Sequence, residues 1–176
     1  QHDAGLYRRL QKIKSSSVRI NTMSQLKIIP LGGFGNVNTN MFVYELENDI
    51  VLVDCGLGFP TEDMLGVDVL IPDISYLKDK LHKIRGLLIT HGHEDHIGGL
   101  PYTLPRLPGV PVYAPHLPAE LIKTKLSEYL DIKNPINIWP QRHPLQLGQF
   151  TVESIHVTHS IPESTHIVIT TPAGTV

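Results

Sequence analysis

The sequence contains very little cysteine and no long apolar run. Cys55 is the single cysteine among 176 residues, so an internal disulfide is impossible and a zinc finger built on several thiolates is excluded. No stretch approaches the roughly 20 apolar residues that a membrane-spanning helix needs, and we expect no contact with a membrane. The N-terminus also lacks the apolar core of a secretory signal. Together these features favour a reducing compartment, and we expect a cytoplasmic protein.

Basic residues are scarce outside the N-terminal segment. The formal net charge is −2, and residues 1–22 hold five of the basic residues but only one acidic residue. We predict that this segment is a disordered basic tail, with a phosphate-binding arm as the alternative. Residues 23–176 are predicted to form one domain. Its mildly acidic balance is not typical of a freestanding nucleic-acid-binding domain.

Short apolar segments alternate with turns along this domain. The predicted strands cover residues 26–30, 41–46, 50–53, 86–90, 110–114, 136–139, 150–157 and 166–170. The predicted helices cover residues 74–82, 95–107 with interruptions, and 117–129, and residues 56–72 form a long loop. Alternating strands and helices with polar residues at strand ends predict an α/β layered fold. A further hairpin begins at residues 172–176, which leads us to expect that the chain is the N-terminal part of a longer protein.

Four potential metal ligands follow the predicted strand at 86–90. His91 and His93 point to the same side of an extended chain and can bind one metal ion together. Asp95 and His96 follow at the start of the next helix and can reach a second ion nearby. Imidazole and carboxylate ligands suit zinc or manganese, and two such ions can share one hydroxide. The alternative is a solvated polar loop, but this cluster directly after a buried strand favours the metal site.

Two further residues fit the same centre. His159 follows the strand at 150–157 and would add a third imidazole to the first ion, although a strand-end histidine can also be a surface group. Asp54 ends the strand at 50–53, where its carboxylate could accept a ring N–H and fix the tautomer of a ligand histidine. Its alternative role is that of a turn residue. The remaining histidines are predicted to be structural or exposed: His2, His82, His116, His143, His156 and His166.

The segment Thr90–Gly99 resembles the signature of the metallo-β-lactamase superfamily, whose fold is an αββα sandwich with a metal site at one edge of the sheets. Residues 31–35, 59–68, 71–73 and 158–162 are similar to the ribonuclease J family. Members of that family are cytoplasmic, metal-dependent 5′-to-3′ exoribonucleases with endonuclease activity, and they act in RNA maturation and decay.

This resemblance implies a ligand set and a chemistry. His91, His93 and His159 would bind one ion, and Asp95 and His96 the other, with zinc expected and manganese as the alternative. Asp95 is also the predicted catalytic carboxylate, and a metal-bound hydroxide would attack the phosphodiester of RNA. The resemblance further implies a bridging aspartate and a β-CASP domain after residue 176, and a homo-oligomer for the full-length protein. We therefore expect the isolated chain to be an incomplete sandwich that is inactive alone and exposes apolar sheet.

Two other functions remain open. A small-molecule hydrolase acting on thioesters or lactones would suit the acidic surface and would not need an RNA channel. A non-catalytic metal-binding module would bind metal without turnover. Against the first alternative stand the segments at 59–73 and 159–162.

Overall fold

Ten strands form two sheets in the computed structural model, which describes residues 24–35 and 37–176. The predicted tail at 1–22 lies outside these residues. The first sheet contains, in spatial order, β1 (Leu26–Gly32), β2 (Met41–Leu46), β3 (Asp49–Val53), β4 (Ile84–Leu88), β5 (Val112–Ala114) and β6 (Ile136–Ile138). The second sheet contains β7 (Leu145–Leu147), β8 (Phe150–His156), β9 (Thr165–Thr171) and β10 (Gly174–Thr175), in the order β10-β9-β8-β7.

The direction of the strands determines where their ends meet. Strands β1 to β3 pair antiparallel, whereas β3 to β6 pair parallel. Parallel neighbours place their carboxyl ends at one edge of the sheet, which is where α/β folds build their sites. Asp54 follows β3 and Thr90 lies just beyond β4, so both residues lie at this edge.

Helices cover one face of the first sheet. They are three α-helices, α1 (Glu94–Ile97), α2 (Leu100–Thr103) and α3 (His116–Leu126), and three 3-10 turns, η1 (Ser75–Leu77), η2 (Leu81–Lys83) and η3 (Leu104–Arg106). Within the described ranges, no helix is long and apolar enough to cross a bilayer.

Strand β3 is buried on both faces and separates two apolar cores. Ile50 and Leu52 pack in the core beneath the helices. Val51 and Val53 point the other way and pack with Phe150 of the second sheet. A strand that is apolar on both faces is typical of the interior of a parallel sheet. The layers are therefore helices, first sheet and second sheet, which confirms the predicted α/β layered class.

The predicted helices agree with the observed ones only in part. The segment predicted as a helix at 74–82 forms only η1 and η2, whereas the segment at 95–107, predicted as an interrupted helix, divides into α1, α2 and η3. Helix α3 buries Pro118, Ala119 and Ile122, whereas Leu121 of the same helix is 37% exposed. The short strand β7 was not predicted, because three residues give too little alternation to recognise.

The outer face of the second sheet carries both polar and apolar side chains. Residues of β8 and β9 alternate between the core and this face. The outward side chains are Thr151, Glu153, Ile155, His166, Val168 and Thr170. Four of these six side chains are polar or charged, while the apolar Ile155 is 36% exposed. The expectation that the isolated chain exposes apolar sheet stays a prediction.

Cys55 is predicted to be chemically inert in the folded chain. It has no exposed surface, and burial raises the pKa of its thiol to about 12. Since the thiolate is the reactive form, a thiol reagent at neutral pH should not label the native chain but should label it fully in denaturant. Labelling of the native protein at the rate of a small-molecule thiol would show that the segment around Cys55 opens.

Candidate metal centre

Three histidines meet at the edge where β4 and β8 end. The ring nitrogens of His91, His93 and His159 offer one ligand atom each, and these atoms lie within 4.8 Å of one another. His91 Nε2 lies 3.1 Å from His93 Nδ1. The His159 loop is joined to this edge because the backbone N–H and the hydroxyl of Thr165 both donate to the Thr90 carbonyl, at 3.0 and 2.9 Å. Three converging imidazoles are a donor set that fits a divalent transition metal.

His91 is held as a neutral ring with one defined tautomer. Burial and the neighbouring histidines lower the pKa of His91 to about 4. Its Nδ1 lies 2.9 Å from Thr90 Oγ1, and the same hydroxyl lies 3.0 and 2.9 Å from the two carboxylate oxygens of Asp54. Because the carboxylate only accepts, Thr90 donates to Asp54 and accepts from His91 Nδ1–H. The lone pair on His91 Nε2 is then free to bind a metal.

His96 is oriented by Asp54 directly. The distance from His96 Nδ1 to Asp54 Oδ2 is 2.7 Å. Burial alone would lower the pKa of His96, but the hydrogen bond with Asp54 and the charges of Asp54 and Asp95 raise it. The other ring nitrogen, Nε2, lies 3.3 Å from Asp95 Oδ2. This pair of donors beside the three histidines could hold a second ion.

Asp54 adopts a backbone conformation that is rare for residues other than glycine, with φ of 60°. Its carboxylate accepts hydrogen bonds from the Thr90 backbone N–H at 2.9 Å, from the Thr90 hydroxyl and from the His96 ring. Such strain persists where the surroundings fix the residue firmly, and it is frequent at functional sites. One carboxylate thus orients two of the histidines, one directly and one through Thr90.

Two residues of this site were not predicted from the sequence. Thr90 ends the apolar segment before His91. A polar residue at the end of a buried strand is the only local feature of the sequence that could have indicated its role. Asn40 precedes β2, and its side-chain Nδ2 lies 3.1 Å from Asp95 Oδ2 and 3.3 Å from His96 Nε2. Its distance in sequence from the cluster explains why spacing alone could not reveal it.

The histidines that we predicted to be structural or exposed lie outside the three-histidine group. His82 and His143 are exposed, and His116 and His156 border a separate cavity of about 390 Å³. His166 is exposed at the rim of the depression of about 400 Å³ that contains His91, His96 and His159. His2 lies outside the described residues.

Comparison with known proteins identifies the family. Residues 34–176 match the model of the metallo-beta-lactamase superfamily. The chain is 42% identical over 161 residues to a ribonuclease J of Helicobacter pylori and 45% identical over 160 residues to a ribonuclease J of Synechocystis. These matches cover 90% and 89% of the chain, but the chain spans only 23% and 25% of the length of these curated relatives.

Solved structures agree on the fold. The metallo-beta-lactamase fold protein YhfI from Bacillus subtilis has a TM-score of 0.60 at 21% identity, covering 86% of this chain and 60% of that protein. A protein of unknown function from Enterococcus faecalis has a TM-score of 0.64 at 15% identity, covering 84% of this chain and 41% of that protein. These likenesses confirm the predicted sandwich fold. The chain therefore belongs to the metallo-beta-lactamase superfamily, and the relatives that it matches along most of its length include ribonucleases J.

Proposed function

We propose that this chain carries most of the metal-binding site of a ribonuclease. The enzyme would hydrolyse RNA phosphodiesters by exo- and endonucleolytic cleavage in RNA maturation and decay. The observation that carries this proposal is the pairing of a three-histidine group with the adjacent Asp95 and His96. Two neighbouring sets of donors suit a pair of ions, and a pair of ions suits in-line displacement at phosphorus. The similarity to ribonucleases J over about nine-tenths of the chain supports RNA as the substrate.

In this proposal each residue has a defined role. His91, His93 and His159 hold one divalent ion, while Asp95 and His96 hold the second. When bound, such ions activate a water molecule and stabilise negative charge on phosphoryl oxygens. Zinc is our choice because imidazoles dominate the donor set, and manganese is the alternative because a carboxylate is present.

Two carboxylates have roles beside the histidine ligands. Asp54 fixes the tautomers of His91 and His96, so that both rings present a lone pair to the metal side. Asp95 lies at the border between the site and solvent, with 36% of its side chain exposed. It is our candidate for the catalytic carboxylate because, among the described carboxylates in contact with His96, it is the one that borders solvent.

The second subsite contains few donors in the described part of the chain. Asp95 and His96 converge there, whereas a stable site needs at least one further ligand from protein or substrate. We therefore propose that the 176 residues alone bind metal but hydrolyse RNA slowly or not at all. We also propose a cytoplasmic location and self-association of any longer form.

The test compares the purified chain with the complete product of its gene, each loaded with zinc or manganese. Substrates are a 5′-monophosphorylated RNA, a thioester and a lactone. We expect the complete gene product to shorten the RNA and to leave the thioester and lactone intact, and the isolated chain to bind metal with little turnover. Hydrolysis of thioester or lactone with intact RNA would instead establish a small-molecule hydrolase. Metal binding without any turnover by the complete product would establish a non-catalytic module.

A further inference from the structure

We infer that Asn40 is a positioning residue of the second metal subsite, and that it selectively raises the affinity of Asp95 and His96 for their ion. This inference rests on the proposed two-ion site. The Asn40 amide nitrogen contacts both proposed ligands, at 3.1 Å from Asp95 Oδ2 and 3.3 Å from His96 Nε2. Asn40 comes from a different segment of the chain, 55 residues before Asp95 in sequence.

The amide of Asn40 holds Asp95 by its side chain and by its backbone. Nδ2 donates to Asp95 Oδ2 at 3.1 Å and to the Asp95 carbonyl at 3.0 Å. The backbone N–H of Asn40 also donates to that carbonyl, at 3.0 Å. These three hydrogen bonds fix both the position of the Asp95 backbone and the direction of its carboxylate.

This contact becomes more important when the site binds metal. His96 Nδ1 is directed at Asp54, so His96 Nε2 is the ring nitrogen available to an ion. With Nδ1–H donating to Asp54, Nε2 carries the lone pair that binds the ion and donates no hydrogen bond to Asp95. Among the recorded contacts of the described residues, the hydrogen bond to the Asp95 carboxylate then comes from Asn40. Carboxylate ligands are typically hydrogen-bonded in this way, and loss of such a partner typically costs about 10–100-fold in metal affinity.

The glycine-rich loop before β2 makes room for the amide. Gly33 has φ of 73°, and a Cβ at this position would lie 2.1 Å from Asn40 Oδ1. The oxygen of the amide therefore packs against Gly33, while its nitrogen faces Asp95. This arrangement gives the loop a role at the metal centre that its sequence alone does not reveal.

The test measures the metal affinity of the complete gene product, in which the second subsite has all of its ligands, and needs no RNA. Asn40→Ala removes the amide, and Asn40→Leu removes its hydrogen-bonding groups while keeping similar bulk, which preserves the test if the alanine variant does not fold. The matched control is Asn134→Ala, because Asn134 Nδ2 also donates to two backbone carbonyls, of Leu107 at 2.7 Å and Val110 at 3.0 Å, in a different part of the fold. Zinc and cobalt binding would be titrated against a chelator, with the cobalt absorption spectrum reporting each site separately.

We expect both Asn40 variants to bind the first ion as the unmodified protein does, and to bind the second ion about 10–100-fold more weakly. Asn134→Ala should alter thermal stability without altering either affinity. Equal weakening of both sites would indicate a merely structural role and overturn the inference, as would unchanged binding or a protein that binds only one ion. Because the readout is metal affinity, failure of RNA cleavage would count against the proposed function and not against this assignment.

Discussion

The His93→Ala variant is expected to lose more than about 100-fold in affinity for the ion at the three-histidine group, and to lose activity at least in proportion. His93 would contribute one of three imidazoles whose donor atoms lie within 4.8 Å of one another. Removal of a group that only supports a ligand already costs 10–100-fold, so removal of a ligand should cost more. Metal content of the purified variant and the rate of RNA cleavage by the complete gene product are the measurements.

A suitable control for this variant is His82→Ala. His82 is exposed in η2, which directly precedes β4, whereas the cluster follows the other end of that strand. Its replacement should change neither metal content nor cleavage rate. The fold of His93→Ala should persist, since His93 is only partly buried and belongs to neither apolar core. A His93→Ala protein with unchanged metal content would contradict the role that we propose for this residue.

Local patterns in the sequence were sufficient to predict the strands nearest the site. Strands β2 and β3 were predicted because two apolar runs flank a short polar turn, and the structure pairs these strands antiparallel. The long loop after Gly56 was predicted from its glycine and proline content, and it contains one isolated bridge between Gly58 and Leu70. Each of these features depends on residues that are close together in the chain.

The contacts of Asn40 and Thr90 could not be predicted in the same way, because they depend on sheet register. Phe42 pairs with Val53 in the antiparallel ladder of β2 and β3. This register places Asn40 next to Gly56, whose N–H donates to the Asn40 carbonyl at 2.9 Å. A shift of one residue would turn the side chain to the other face of the sheet. Sequence spacing does not fix that register.

The interruption of the helix between Asp95 and Leu107 was predicted, and the structure gives its physical reason. The apolar residues follow a helical pattern that the glycine pair at Gly98 and Gly99 interrupts. A Cβ on Gly99 would lie 2.4 Å from the Gly56 carbonyl, and one on Gly98 would lie 2.7 Å from Leu57 Cβ. Close packing against the segment after Asp54 therefore determines where α1 ends.

The same close packing leads us to expect that Gly56→Ala lowers the free energy of unfolding by more than about 3 kcal/mol. This is above the cost that overpacking in a core typically has, because the conflict is with backbone atoms. A Cβ at Gly56 would lie 1.7 Å from the carbonyl oxygen of Asp95 and 2.7 Å from the backbone nitrogen of Asn40. These are backbone atoms, which cannot rotate away as a side chain can. The segment around Gly56 must therefore move away from the backbone of Asp95 and Asn40.

Separation would break the hydrogen bonds that hold the segment after β3 against α1. Cys55 N–H donates to the His96 carbonyl at 2.8 Å, and Leu57 N–H donates to the Glu94 carbonyl at 3.0 Å. Each buried hydrogen bond contributes about 1 kcal/mol, and an unsatisfied buried group costs more. The two bonds flank Asp95, so their loss would also displace the proposed ligands of the second ion.

Urea unfolding of Gly56→Ala beside Gly109→Ala separates steric conflict from the general cost of replacing a glycine. A Cβ at Gly109 would meet nothing within 4 Å, although its φ is 75°, so alanine there should cost about 1 kcal/mol from backbone strain alone. We expect Gly56→Ala to be clearly the less stable variant and, where it still folds, to bind the second ion more weakly. Equal stability of the two variants would mean that the segment can move away from Asp95 without loss. The rigid support that we infer for Asp95 would then be wrong.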